Sequence, residues 1–98
     1  MNVAVVESDG GIRCILCAFL QEDGYTVKDY NELPPGYDEI DMVIFGPSMT
    51  VPQSQFDLLN EKQIQYLQLE YFADMDVVMK QVANFAHIEQ SILEDRAV

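Results

Sequence analysis

Residues 3–24, VAVVESDGGIRCILCAFLQEDG, leave little freedom about how this chain begins to fold. Residues 3–6 are a continuous β-branched and apolar run, the pattern of a strand covered on both faces in a parallel sheet. Glu7-Ser8-Asp9 follows at its carboxyl end, where open α/β folds place their chemistry. Gly10-Gly11 loosens the turn, and Asp9 is placed to accept from the free N–H groups of a first helical turn. Ile12, Ile15, Leu16, Phe19 and Leu20 then recur at helical spacing, and Gly24 supplies the stop. Tyr25-Thr26-Val27 makes a second strand that runs out into the polar Lys28-Asp29. Strand, helix, strand is the opening of a right-handed βαβ unit.

Pro34-Pro35-Gly36 marks residues 30–41 as a loop. Met42-Val43-Ile44-Phe45 is a third, wholly apolar strand, ended sharply by Gly46-Pro47-Ser48. From residue 53 to residue 98 there is neither Gly nor Pro. Ser54-Gln55-Phe56-Asp57 has the capping-box form. Phe56, Leu59, Ile64, Leu67, Tyr71, Met75, Val78, Val82, Phe85 and Ile92 fall near one helical face, and positions 64, 71, 78, 85 and 92 share a spacing of seven. The set three residues further on includes Asp74, Gln81 and Asp95, so the pattern is not that of a clean coiled coil. It predicts two helices, about 54–72 and 75–95, with a break at Ala73-Asp74-Met75-Asp76 where either aspartate can cap. The competing reading of Asp76-Val77-Val78-Met79 as a fourth strand lacks flanking turn residues. The expectation is one α/β domain: a short parallel three-stranded sheet of order 2-1-3, then a helical C-terminal half.

The 98 residues carry 17 acidic against five basic side chains, a formal charge of −12. The excess is −7 over residues 1–50 and −5 over 51–98, so it is spread along the chain. That excludes a phosphate-binding surface for nucleic acid and an anionic membrane surface, and permits a basic protein partner. The residues before the first strand contain no basic signal-peptide region and no apolar run approaches a membrane span, and two cysteines without a secretory leader fit a reducing compartment; a cytoplasmic protein is expected.

The residues Val5-Val6-Glu7-Ser8-Asp9, Ile12-Arg13, Gly24-Tyr25-Thr26-Val27 and Asp41-Met42-Val43-Ile44-Phe45 resemble the opening of a bacterial response-regulator receiver domain, over about residues 2–50. The resemblance implies a flavodoxin-like start. It also implies a phosphoacceptor at the end of strand three and a Mg²⁺ site in the acidic pair after strand one. Here the acceptor position is Gly46, without a nucleophile, and the pair is Glu7 and Ser8, with one carboxylate; Asp9 is the further acid nearby. The strands that the family ends in Thr or Ser, and in Lys, have no visible counterpart. Glu7, Ser8, Asp9 and Gly46 therefore read as a degenerate remnant, with no catalytic residue, metal or cofactor expected. A three-stranded sheet would leave strand three as an apolar edge, and bare edges recruit partners. Met42 and Ile44, with Phe56, Ile64, Leu67, Tyr71, Val78 and Phe85, form the expected partner or homodimer interface.

Other chemistry is thin. Cys14-Ile15-Leu16-Cys17 lies too far into its helix for a dipole-activated thiol, zinc would need further ligands beside the single His87, and small apolar core residues are the plain reading. Gly10-Gly11 belongs to no phosphate-binding motif, and Ser8, Ser48 and His87 have no spacing that unites them. His87 reads as a boundary residue. Tyr66, Tyr71 and Phe72 read as core, dimer interface or a partner-binding patch. The function expected is that of a non-catalytic pseudo-receiver acting by protein–protein contact. The alternative is an acidic inhibitor that mimics nucleic acid, of the phage type, whose carboxylates would form one ordered stripe. A third possibility is a phospho-receiver that uses Asp9 or another acid.

Overall fold

The computed structural model describes residues 1–96, with side chains through Ala86. Seven elements follow in order: β1 (Asn2–Val6), α1 (Gly10–Glu22), β2 (Thr26–Tyr30), β3 (Met42–Phe45), α2 (Gln53–Glu61), β4 (Gln65–Gln68) and α3 (Met75–Arg96). The strands form one parallel sheet of order β2-β1-β3-β4. The expected parallel 2-1-3 arrangement is present, and a fourth strand extends it.

The first half forms for the reasons its sequence carries. Val3, Val5, Met42 and Ile44 face one side of the sheet, and Ala4, Val6, Val43 and Phe45 face the other, all fully buried. Alternation of side chains along each strand then demands a cover on both faces. Asp9 caps α1, its Oδ1 accepting from the Ile12 N–H at 3.0 Å. At the other end Gly24 takes φ +90°, the Gly24 N–H donates to the Gln21 carbonyl (3.0 Å) and the Tyr25 N–H to the Leu20 carbonyl (3.1 Å). That is a Schellman turn, closed by Leu20 and Tyr25 in the same apolar cluster.

Two layers cover the sheet. On one face α1 contributes Ile12, Leu16, Cys17 and Leu20, and α3 contributes Met75, Val78, Met79, Val82 and Phe85. On the other lie Leu59 of α2, Phe56 with its ring 5.6 Å from that of Phe45, and the connection 31–41. No helix fills that connection; Tyr37 and Ile40 are buried in its place. The segment is tied down at both levels. The Tyr37 hydroxyl donates to Gln55 Oε1 at 2.9 Å, and the Asn2 N–H donates to Asp41 Oδ2 at 2.7 Å.

The second half departs from expectation. The helix predicted over 54–72 is two elements, because α2 ends at Glu61 and residues 65–68 form β4. The end of α2 is the same Schellman turn as that of α1, built without glycine. Gln63 adopts φ 59°, its N–H donates to the Asn60 carbonyl (3.1 Å), and the Ile64 N–H donates to the Leu59 carbonyl (2.9 Å). From there the side chains alternate. Ile64 and Tyr66 join the α2 face and Leu67 and Leu69 the α1 face, the period of two that a strand requires. Nor does Ser54 cap α2: the N-cap is Pro52, with no side-chain hydrogen bond to the helix. The break near residue 74 is present, with Asp74 Oδ1 accepting from the Asp76 N–H at 2.9 Å, and residues 76–79 are helical rather than a strand.

β3 is consequently not an edge. It pairs with β1 on one side and with β4 on the other, Met42 opposite Gln65 through Phe45 opposite Gln68. The edges are β2 and β4, whose exposed positions are Thr26, Lys28 and Asp29, and Gln65 and Gln68. Short edges with polar and charged side chains are poor templates for pairing. No helix among the described residues is long and apolar enough to cross a membrane.

Candidate functional site

The carboxyl ends of β1 and β3 meet at one side chain. Glu7 follows directly on β1 and is fully buried, the only buried charged residue among those described. Its N–H still belongs to the ladder, donating to the Tyr30 carbonyl at 2.9 Å, so the backbone has no freedom to turn the side chain out. The carboxyl group lies across the end of β3. Oε1 accepts from the Asp9 N–H (3.0 Å) and Oε2 from the Ser48 N–H (3.2 Å). Both loops that leave the sheet here are thus held by one residue.

Gly46 makes this possible. A Cβ built on it would overlap Glu7 Oε2 and stand 2.5 Å from Glu7 Cδ and 2.8 Å from Glu7 Cβ. The space a side chain at position 46 would fill is filled by the Glu7 carboxyl group. No residue larger than glycine fits there while Glu7 keeps its conformation. Neighbouring polar groups are similarly spoken for. Gln68, at the end of β4, donates its amide to the carbonyls of Gly46 (3.1 Å) and Leu69 (3.3 Å). Arg13 Nη1 donates to the Glu7 carbonyl at 2.7 Å while Nε stands 3.4 Å from Asp29 Oδ2, an ion pair whose aspartate is largely exposed. Such a pair is worth little by itself; its effect is to fix α1 against the ends of β1 and β2.

Of the predicted remnant, Glu7 and Gly46 meet directly, whereas Ser8 and Asp9 are exposed and Asp9 serves as the helix cap. No group of three or more His, Cys, Asp or Glu able to hold a metal ion occurs among the described residues. Every buried side-chain polar atom among them has a hydrogen-bond partner.

The predicted interface residues do not form one surface. Met42 and Ile44 are fully buried and Val78 nearly so, so those three have no face to offer a partner. Phe56 and Ile64 pack in the α2 layer, and Leu67 and Phe85 against the opposite one. Of the eight, Tyr71 alone is largely exposed, at 67%. Its neighbour Phe72 is fully exposed, whereas the Tyr66 ring packs at a tilt against that of Phe56, centroids 5.0 Å apart. Sequence reasoning missed Gln68, because the strand it ends was read as helix, and it left Phe72 between core, dimer interface and partner-binding patch, of which its full exposure removes the core.

The two cysteines differ. Cys14 is exposed, which corrects the expectation of a core residue, and Cys17 is half-buried in the α1 layer. Burial, and then the charge of Asp29, pushes the Cys17 thiol up from its ordinary value of 9.0, with Arg13 opposing. Both line a groove of about 300 Å³ between α1 and β2 with Arg13 and Asp29. A raised thiol pKa is the reverse of what a reactive cysteine needs. His87 and Ile92 lie outside the described side chains.

Compared with protein-family models, curated proteins and solved structures, the chain gives no match in any of the three.

Proposed function

We propose that this chain is a non-catalytic regulatory protein of receiver-like architecture, working in the cytoplasm through protein–protein contact. The observation that carries the reading is the Glu7 carboxyl group in the side-chain space of Gly46. In the resemblance noted over residues 2–50, position 46 is where a phosphoacceptor would project and position 7 is part of the metal-binding pair. The two positions have exchanged roles. The carboxyl group now comes from β1, lies fully buried and accepts from the Asp9 and Ser48 N–H groups, so its two oxygens hold the loops of the chain itself. Ser8 and Asp9 are too exposed to make a desolvated phosphoryl-transfer site on their own.

The alternative of a nucleic-acid mimic requires one ordered stripe of carboxylates. The acidic positions instead fall on both layers, with Glu22 at the end of α1 and Asp57 and Glu61 on α2, and on the 31–41 connection as Asp38 and Glu39. A homodimer built on a bare β3 edge loses its ground, since β4 occupies that edge. The partner in this reading is another protein.

Incubation with a small phosphodonor and Mg²⁺, followed by intact mass, tests the non-catalytic part. The expected spectrum is that of the unmodified chain. A stoichiometric phosphoryl adduct on Asp9 or any other acid overturns it.

A further inference from the structure

The connection from β4 to α3 presents apolar surface where a monomer gains nothing from it. A turn closes with the Ala73 N–H donating to the Glu70 carbonyl at 3.1 Å, and Tyr71 and Phe72 stand at its tip. Phe72 is 100% exposed, Tyr71 67% and Val77, in the first turn of α3, 52%. Between Phe72 and Val77 runs an open groove of about 280 Å³, floored by Leu69 and Val78 and edged by Glu70 and Asp74. The floor belongs to the buried core, so the groove is anchored on the sheet and is not a loose loop. Three of the five large exposed apolar side chains among the described residues are gathered here. A fully exposed aromatic ring beside a concave apolar floor is the composition of a binding hot spot.

Charge decides the occupant. No Lys or Arg lines the groove, and two acids do. A second copy would set acidic rim against acidic rim between chains that each carry a net −12. We propose that this groove is a docking site for a basic segment of another protein, one that inserts a bulky apolar side chain against Phe72, Leu69 and Val77 and sets Lys or Arg on Glu70 and Asp74. The inference rests on the protein-contact reading above and gives it a place and a partner chemistry.

The probe is a short, fluorescently labelled helical peptide of leucine and lysine, titrated by anisotropy at low and at physiological salt, beside an oligolysine of equal charge. Saturable binding of the Leu/Lys peptide that weakens with salt is expected, with oligolysine at least about tenfold weaker. Phe72→Ser and Val77→Ser, both on exposed side chains and checked for unchanged circular dichroism, should each weaken the peptide by about tenfold. Glu70→Gln/Asp74→Asn should flatten the salt dependence. Phe19→Ser and Ile15→Ser, on the exposed side of α1, should leave binding within about twofold. Equal affinity for oligolysine, no binding at all, or loss on the α1 variants instead of Phe72→Ser overturns the site. So does a concentration-dependent dimer that Phe72→Ser abolishes, since the occupant is then a second copy. None of these outcomes touches the phosphodonor result, so failure of the groove and failure of the non-catalytic reading are read separately.

Discussion

Gly46→Ala offers the sharpest test of how the carboxyl end of the sheet is built. The new methyl group would overlap Glu7 Oε2 and lie 2.8 Å from Glu7 Cβ, inside any allowed contact. Both partners sit in backbone that is hydrogen-bonded in the sheet ladder, the Gly46 N–H to the Val6 carbonyl and the Glu7 N–H to that of Tyr30, each at 2.9 Å. The side chain of Glu7 must therefore move rather than the strands. Moving it strands the N–H groups of Asp9 and Ser48, at about 1–3 kcal/mol apiece, and over-packing adds about 1–3 kcal/mol. The expected loss is about 3–9 kcal/mol, comparable with the whole stability of a small domain. Glu7→Ala strands the same two donors but empties the space. In that background Gly46→Ala has no clash to make, and the backbone at 46 does not lie in the left-handed region, so it should be neutral or gain up to about 1 kcal/mol. The coupling between the two positions is then about 3 kcal/mol or more, far beyond the ~0.5 kcal/mol scatter of independent sites. Urea unfolding followed by far-ultraviolet circular dichroism measures it, with the Glu7→Ala background as reference if Gly46→Ala alone is unfolded. Equal costs of Gly46→Ala in the two backgrounds would refute the claim that Glu7 fills the Gly46 space.

Gln63→Gly should stabilise the protein by up to about 1 kcal/mol, because Gln63 sits at φ 59° where a side chain is penalised, and Gln63→Val should destabilise it; urea midpoints report both. A disulfide-exchange reagent should modify the exposed Cys14 well before Cys17, whose reaction should need higher pH; equal rates at neutral pH would contradict the raised Cys17 thiol. Burial, and then Tyr30, raises the Tyr37 phenol above its usual 10.0. The neutral phenol is thus favoured by the fold, so its contribution is complete below pH 10 and is lost as pH rises through the raised value. Tyr37→Phe should cost about 0.5–1.5 kcal/mol at pH 7, through the lost hydrogen bond to Gln55, and should flatten the alkaline fall in stability.

The two Schellman turns show where sequence reading works and where it stops. Their hydrogen bonds match, Tyr25 to Leu20 in one and Ile64 to Leu59 in the other. Gly24 announces the first, because glycine is the ordinary occupant of a left-handed position. Gln63 hides the second, so the apolar spacing Ile64, Tyr71, Val78, Phe85 reads through it as one helical stripe. In the fold those residues divide: Ile64 faces the α2 layer, Val78 and Phe85 the α1 layer, and Tyr71 solvent. A four-residue edge strand with glutamine at each end has too little alternation to overrule a seven-residue spacing. The strands β1 and β3 were legible because covered parallel strands are apolar throughout, and the cap of α1 because Asp9 bonds locally.

The candidate site was half legible for a related reason. Glu7 and Gly46 stand out in the sequence as an acid after strand one and a glycine after strand three. Their relation depends on β1 and β3 being neighbours in register, Val6 opposite Phe45, which places the next residue of each strand side by side. Once they are, the glycine is the condition for the buried carboxyl group rather than the loss of a functional one. The same pairing that closes the carboxyl end also moves the available surface. β4 seals the edge of β3, α3 leaves β4 for the α1 layer, and the turn between them is forced outward with Phe72 at its tip. What the chain withdraws from solvent at Glu7 it presents at residues 70–77, where exposed Phe72 and Val77 stand beside Glu70 and Asp74.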